Sequence, residues 1–144
     1  MKKLLLLFLL ASPALFAQRN TVILIADDVG NDYFGWYTTT GDTVDVPNLR
    51  QLFSNGVVFT NYWTSPLCSP TRSELLTGRY PFRTGVGEVV TQGTPELDTA
   101  EYIIPALLKD HSSSTVRTAC VGKWHVQRAA PPAHRDYPNQ MGFD

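Results

Sequence analysis

Residues 21–26 read Thr-Val-Ile-Leu-Ile-Ala, an unbroken apolar run that ends abruptly in Asp27-Asp28-Val29-Gly30. A strand with one wet face alternates apolar and polar residues. A run without alternation suits a strand covered on both faces, as in a parallel sheet flanked by helices. The fold class expected is therefore α/β. Two adjacent carboxylates at the carboxyl end of a buried strand repel each other and lose hydration unless positive charge lies between them. A hard divalent cation is the simplest partner, since oxygen ligands suit calcium or magnesium. The alternative is a solvated turn in which an Asp caps the next segment.

Two further runs have strand character, residues 57–60 and 117–121, the latter within an apolar stretch containing Cys120. A helical pattern begins at Pro47, with Leu49, Leu52 and Phe53 on one face and Gly56 as its stop. Another is expected from Pro105 to His111. Residues 31–46 lack periodicity, 80–99 carry three glycines and two prolines and read as a long loop, and 129–138 are Pro-rich and irregular. Strand, loop and helix in that order place functional groups at strand ends.

The densest motif is residues 67–81, LCSPTRSELLTGRYP. Proline is tolerated at the start of a helix, where its missing N–H costs nothing, so Ser69-Pro70 reads as cap and helix start. Cys68 then falls just outside a helix N-terminus, where free N–H groups favour negative charge, and Arg72 lies one turn in. A cysteine in electropositive surroundings is a reactive group rather than core filling. The competing use is a disulfide with Cys120, the second of two cysteines. Arg79 and Arg83 could also meet an anionic substrate. At residues 122–125, Gly-Lys-Trp-His, alternation puts Lys123 and His125 on one side of the chain. A cation and an imidazole facing one way can hold an oxyanion and move a proton.

The chain has 144 residues, enough for one domain of ordinary size, and a net charge of −1, so no basic field argues for nucleic acid. Residues 1–17 have Lys2 and Lys3, an apolar stretch and a final small residue, the pattern of a secretory signal peptide. The apolar stretch is too short to stay in a bilayer as an anchor. A secreted or periplasmic location follows.

The string Cys68-Ser69-Pro70-Thr71-Arg72 with Leu75-Leu76-Thr77-Gly78-Arg79-Tyr80-Pro81 closely resembles the signature of type I sulfatases. The Asp27-Asp28 pair after a strand, Gly122-Lys123-Trp124-His125 and the terminal Gly142-Phe143-Asp144 fit the same resemblance. It implies an alkaline-phosphatase-like α/β/α sandwich with a mainly parallel sheet, of which residues 18–144 are only the N-terminal part. It also implies that Cys68 is oxidised to formylglycine by a maturation enzyme, and that Asp27, Asp28 and residue 68 bind calcium, with magnesium as the alternative. Arg72 would hold the formylglycine hydrate, Lys123 would bridge it to sulfate, and His125 would be hydrogen-bond partner or base. The substrate would be a sulfated carbohydrate or an aryl sulfate. The family's remaining ligands, an Asp and an Asn or Gln, and its second Lys and His, have no counterpart here. A phosphonate or phosphodiester hydrolase of the same superfamily and a secreted non-catalytic binding module are the rival expectations.

Overall fold

The computed structural model describes residues 20–34, 43–112, 115–128 and 136–144. The expected signal segment and residues 129–135 of the Pro-rich stretch lie outside them. The described helices are α1 (Pro47–Asn55), α2 (Cys68–Thr77), α3 (Pro81–Thr84), α4 (Ile104–His111) and α5 (Tyr137–Gln140), with a 3-10 turn at Asn31–Phe34.

The helix starts at Pro47 and beside Pro105 and the stop at Gly56 fall where the sequence puts them. Helix α2 begins earlier than expected. Leu67 is its N-cap, so Cys68 is the first helical residue and not the one outside. The start is held without a capping side chain on Leu67. Instead Thr71 Oγ1 donates to the carbonyls of Ser65 and Leu67, at 2.8 and 2.9 Å, and the Thr71 N–H returns to Leu67 O. At the other end Gly78 takes a left-handed conformation, φ 66°, and its N–H closes on Glu74 O, the conformation that glycine adopts without a Cβ penalty.

The face that α2 buries is polar and small. Ser69 and Ser73 are fully enclosed. Ser69 Oγ accepts the Val90 N–H at 3.0 Å, and Ser73 Oγ donates to Pro70 O and contacts Thr84 Oγ1 at 3.2 Å. These serines let residues 84–90 pack directly on the helix while satisfying its buried polar groups. The expected long loop at 80–99 is irregular apart from α3, and it contributes three apolar side chains to the core. Val86, Val90 and Leu97 from it pack with Ile103, Val126, Tyr137 and Met141, and with Leu76, Trp124 and Phe143 at the margin.

The chain's end closes this core. Gly142 has φ 108°, and a Cβ there would come within 3.0 Å of the Ala106 backbone nitrogen, so the turn sits hard on α4. Asp144 then accepts from the Thr118 N–H at 2.6 Å and from Lys109 Nζ at 3.1 Å, while its own N–H reaches Thr118 O. Thr118 dominates in holding the Asp144 carboxyl below its ordinary pKa, with Lys109 second and burial opposing.

The three segments expected as strands are the main departure. Residues 21–26, 57–60 and 117–121 carry no strand pairing among the described residues, and Val22, Leu24, Val57, Phe59 and Val121 are exposed. An apolar run becomes a strand only when neighbours accept its N–H groups and cover its faces, and here neither condition is met. Cys120, expected in a buried strand, is exposed, and both cysteines are free thiols.

Candidate active site

Helix α2 presents Cys68 and, one turn later, Arg72. Arg72 is 9% exposed, and this burial aims its guanidinium at two neighbours from distant parts of the sequence. One Nη donates to Lys123 O in a short contact, and the other reaches Asp27 Oδ1 at 3.4 Å. Lys123 Nζ takes the second oxygen of the same carboxylate, 2.5 Å from Asp27 Oδ2. The Lys123 hydrogen bond is the leading cause that lowers the Asp27 pKa, ahead of Arg72, with burial opposing it. The same bond raises the Lys123 pKa. Both shifts keep the pair charged around neutrality.

His125 completes the cluster. Its Nδ1 lies 3.2 Å from Cys68 Sγ. Its backbone is left-handed, φ 52°, a conformation that a residue with a Cβ adopts only where its surroundings hold it. The neighbours supply that hold. Trp124 meets Phe143 edge to face, ring centroids 5.8 Å apart, and Val126 is fully buried with its carbonyl accepting the Leu97 N–H at 2.8 Å. Two anchored flanks turn His125 toward the cysteine.

Of the residues the sequence singles out, Asp27, Cys68, Arg72, Lys123 and His125 thus meet in one place. Asp28 stands beside them in a left-handed turn, φ 60°, and makes no side-chain contact with them among the described residues. The expected metal trio of Asp27, Asp28 and Cys68 is not assembled. No three His, Cys, Asp or Glu side chains among the described residues gather closely enough to hold a metal ion. The reason is local: both oxygens of Asp27 face cations, Arg72 and Lys123. The donor chemistry of the acidic pair still suits a hard cation, as part of a coordination shell that needs further oxygens.

Arg79 is engaged elsewhere, forking onto both oxygens of Glu101 at 2.6 and 2.5 Å, and Arg83 lies over the Phe82 ring. His111 is an exposed helix-end residue. Sequence reasoning missed Phe143 as a support of Trp124 and Asp144 as the residue that holds Thr118 and Lys109. Their only signal was the Gly-Phe-Asp string itself.

A family model described as Sulfatase matches residues 19–144. The chain belongs to the sulfatase family. Among curated sulfatases, human steryl-sulfatase is 39% identical over 132 residues, covering 85% of this chain and 22% of that protein. Pig N-acetylgalactosamine-6-sulfatase is 34% identical over 137 residues, 87% of this chain and 24% of that one. Human arylsulfatase A is 34% identical over 146 residues, 96% of this chain and 28% of that one. The chain therefore spans about a quarter of the length of these relatives. No solved structure matches it.

Proposed function

We propose that residues 18–144 are the N-terminal part of a sulfatase catalytic domain that hydrolyses sulfate monoesters. In this reading residues 1–17 are a cleaved signal peptide, and the segments 21–26, 57–60 and 117–121 are strands of a mainly parallel sheet completed by further chain. What carries the reading is the convergence on one spot of Asp27, Cys68, Arg72, Lys123 and His125, groups drawn from three separate parts of a chain that matches the family throughout.

A sulfate ester resists attack by an anion, so its non-bridging oxygens must be neutralised while an oxygen nucleophile is presented. Residue 68 is here a thiol, and its sulfur stands in for the carbon-bound oxygens of hydrated formylglycine. Formed from Cys68 by a maturation enzyme, that group supplies one hydroxyl to attack sulfur and a second whose deprotonation releases sulfate. A calcium ion, with magnesium as the alternative, would be held by Asp27, Asp28 and an oxygen of residue 68, and would supply positive charge to the sulfate oxygens.

The remaining work falls to the chain's own side chains. Arg72, fixed between Lys123 O and Asp27, orients the residue-68 oxygens and holds positive charge beside them. The Lys123 ammonium, tied to Asp27, lies ready to bridge residue 68 and a bound sulfate. His125, with Nδ1 against the residue-68 side chain, accepts or returns its proton. The substrate class is a sulfated carbohydrate or an aryl sulfate, and the enzyme is secreted or periplasmic.

The test is turnover of an aryl sulfate against an aryl phosphodiester by the complete protein. Preferential cleavage of the sulfate supports the reading. Preference for the diester establishes the phosphodiesterase alternative instead.

A further inference from the structure

Among the described residues every lysine and arginine except two faces a carboxylate. Arg50 meets Asp45, Arg72 and Lys123 share Asp27, Arg79 meets Glu101, and Lys109 and Arg117 share Asp144. Of the two exceptions, Arg83 is exposed and rests on the Phe82 ring, 5.6 Å from its centroid. The other, Arg128, is half-buried, and its guanidinium forms no salt bridge among the described residues. Its Nε donates to Thr94 O at 3.0 Å, and its backbone N–H occupies Glu96 Oε2 at 2.8 Å. The stem and backbone are thereby fixed, while the guanidinium makes no salt bridge.

Arg128 lines an open cavity of about 360 Å³ together with Gln127, Trp124, Lys123 and His125. Lys123 and His125 belong also to the cysteine site, so the two share part of their lining. In the same segment the Trp124 indole N–H is buried and has no hydrogen-bond partner among the described residues. A half-buried cation and an unused N–H are costly unless something pairs with them. An anionic oxygen in the cavity pairs with the guanidinium.

We propose that this cavity is a second anion subsite, in which Arg128 receives a carboxylate or second sulfate of a substrate whose scissile sulfate lies at residue 68. The inference rests on the sulfatase reading above and narrows it to oligoanionic substrates, such as sulfated acidic sugars, over esters with a single charge. Arg128 is a specificity residue that touches the substrate away from the reacting bond.

The test titrates the complete protein, carrying Cys68→Ala so that neither probe is turned over, at low ionic strength with two probes, followed by calorimetry. One is phenyl sulfate, with a single anionic group, and the other is a disaccharide carrying one sulfate ester and one uronate carboxylate. The disaccharide should bind about tenfold more tightly or better, as expected for one added charge-assisted contact. Added salt should shrink that ratio. Arg128→Gln should bring the ratio close to one, and Arg128→Lys should keep most of it. Equal affinities for the two probes with Arg128 in place, or a preference that survives Arg128→Gln, overturns the subsite while leaving the sulfatase reading intact. If neither probe binds at millimolar concentration, both the subsite and the sulfate site on which it depends are contradicted. Should Arg128→Gln fail to fold, the ratio with Arg128 in place and on Arg128→Lys decides.

Discussion

His125 Nδ1 lies 3.2 Å from Cys68 Sγ, although 57 residues separate them in the chain. The contact exists because two unrelated pieces of packing coincide. Helix α2 starts at Cys68 on buried serines, and the Trp124 and Val126 anchors force His125 into a left-handed backbone. In the complete enzyme, His125→Ala and Lys123→Ala should each lower kcat for an aryl sulfate by about 10²- to 10³-fold, the usual loss for one preorganised charge or donor. Steady-state kinetics on the two variants check this, and a change below threefold in both contradicts the assignment.

Removing a buried acceptor tests the polar face of α2. Ser69→Ala leaves the enclosed Val90 N–H without its partner and should destabilise the fold by about 1–3 kcal/mol. Urea unfolding of the 144-residue chain reads the loss, and an unchanged midpoint means that the serine is not holding residues 84–90 against the helix.

Gly142→Ala should be more damaging than its size suggests. It combines a positive φ with a Cβ within 3.0 Å of the Ala106 backbone, and such strain costs of the order of 1–3 kcal/mol. The closing turn should loosen, and hydrogen exchange at the Thr118 and Asp144 amides should quicken. Unaltered protection at both amides contradicts the account.

How far the sequence alone reaches is clear from these particulars. Helix starts at Pro47 and beside Pro105 are legible because proline and glycine fix backbone geometry locally. The five converging site residues are legible because their short strings carry chemistry. The sheet is not realised at residues 21–26, 57–60 and 117–121, because apolar periodicity states what a segment wants to bury and not what covers it. The start of α2 at Cys68 was hidden for a related reason: its first turn is held by Thr71 reaching back to Ser65 and Leu67, not by a capping side chain on Leu67. That Val86, Val90 and Leu97 of the irregular segment join the core was hidden because tertiary packing, not local propensity, selects them. Arg128 carries no sequence signal, since only the lack of a salt bridge to its guanidinium sets it apart.

Alkaline pH should unfold the chain through Tyr137. Burial, followed by Glu96 and Asp98, pushes its phenol from 10 up to about 12, with Arg128 opposing. A folded-state pKa raised above the unfolded value gives a contribution that is full below pH 10 and is lost as pH rises towards 12. Unfolding midpoints should therefore fall between pH 10 and 12, and Tyr137→Phe should flatten that fall. A profile in the variant as steep as in the parent chain contradicts the assignment.

The central claim is that Cys68 becomes the formylglycine of a sulfatase, and one mass decides it. Trypsin releases residues 51–72 as a single peptide containing Cys68. From the protein purified from the cells that make it, that peptide should be about 18 Da lighter than its sequence mass, the difference between a thiol and an aldehyde. A peptide at full mass with an alkylatable thiol at position 68, recovered from active enzyme, would contradict the account.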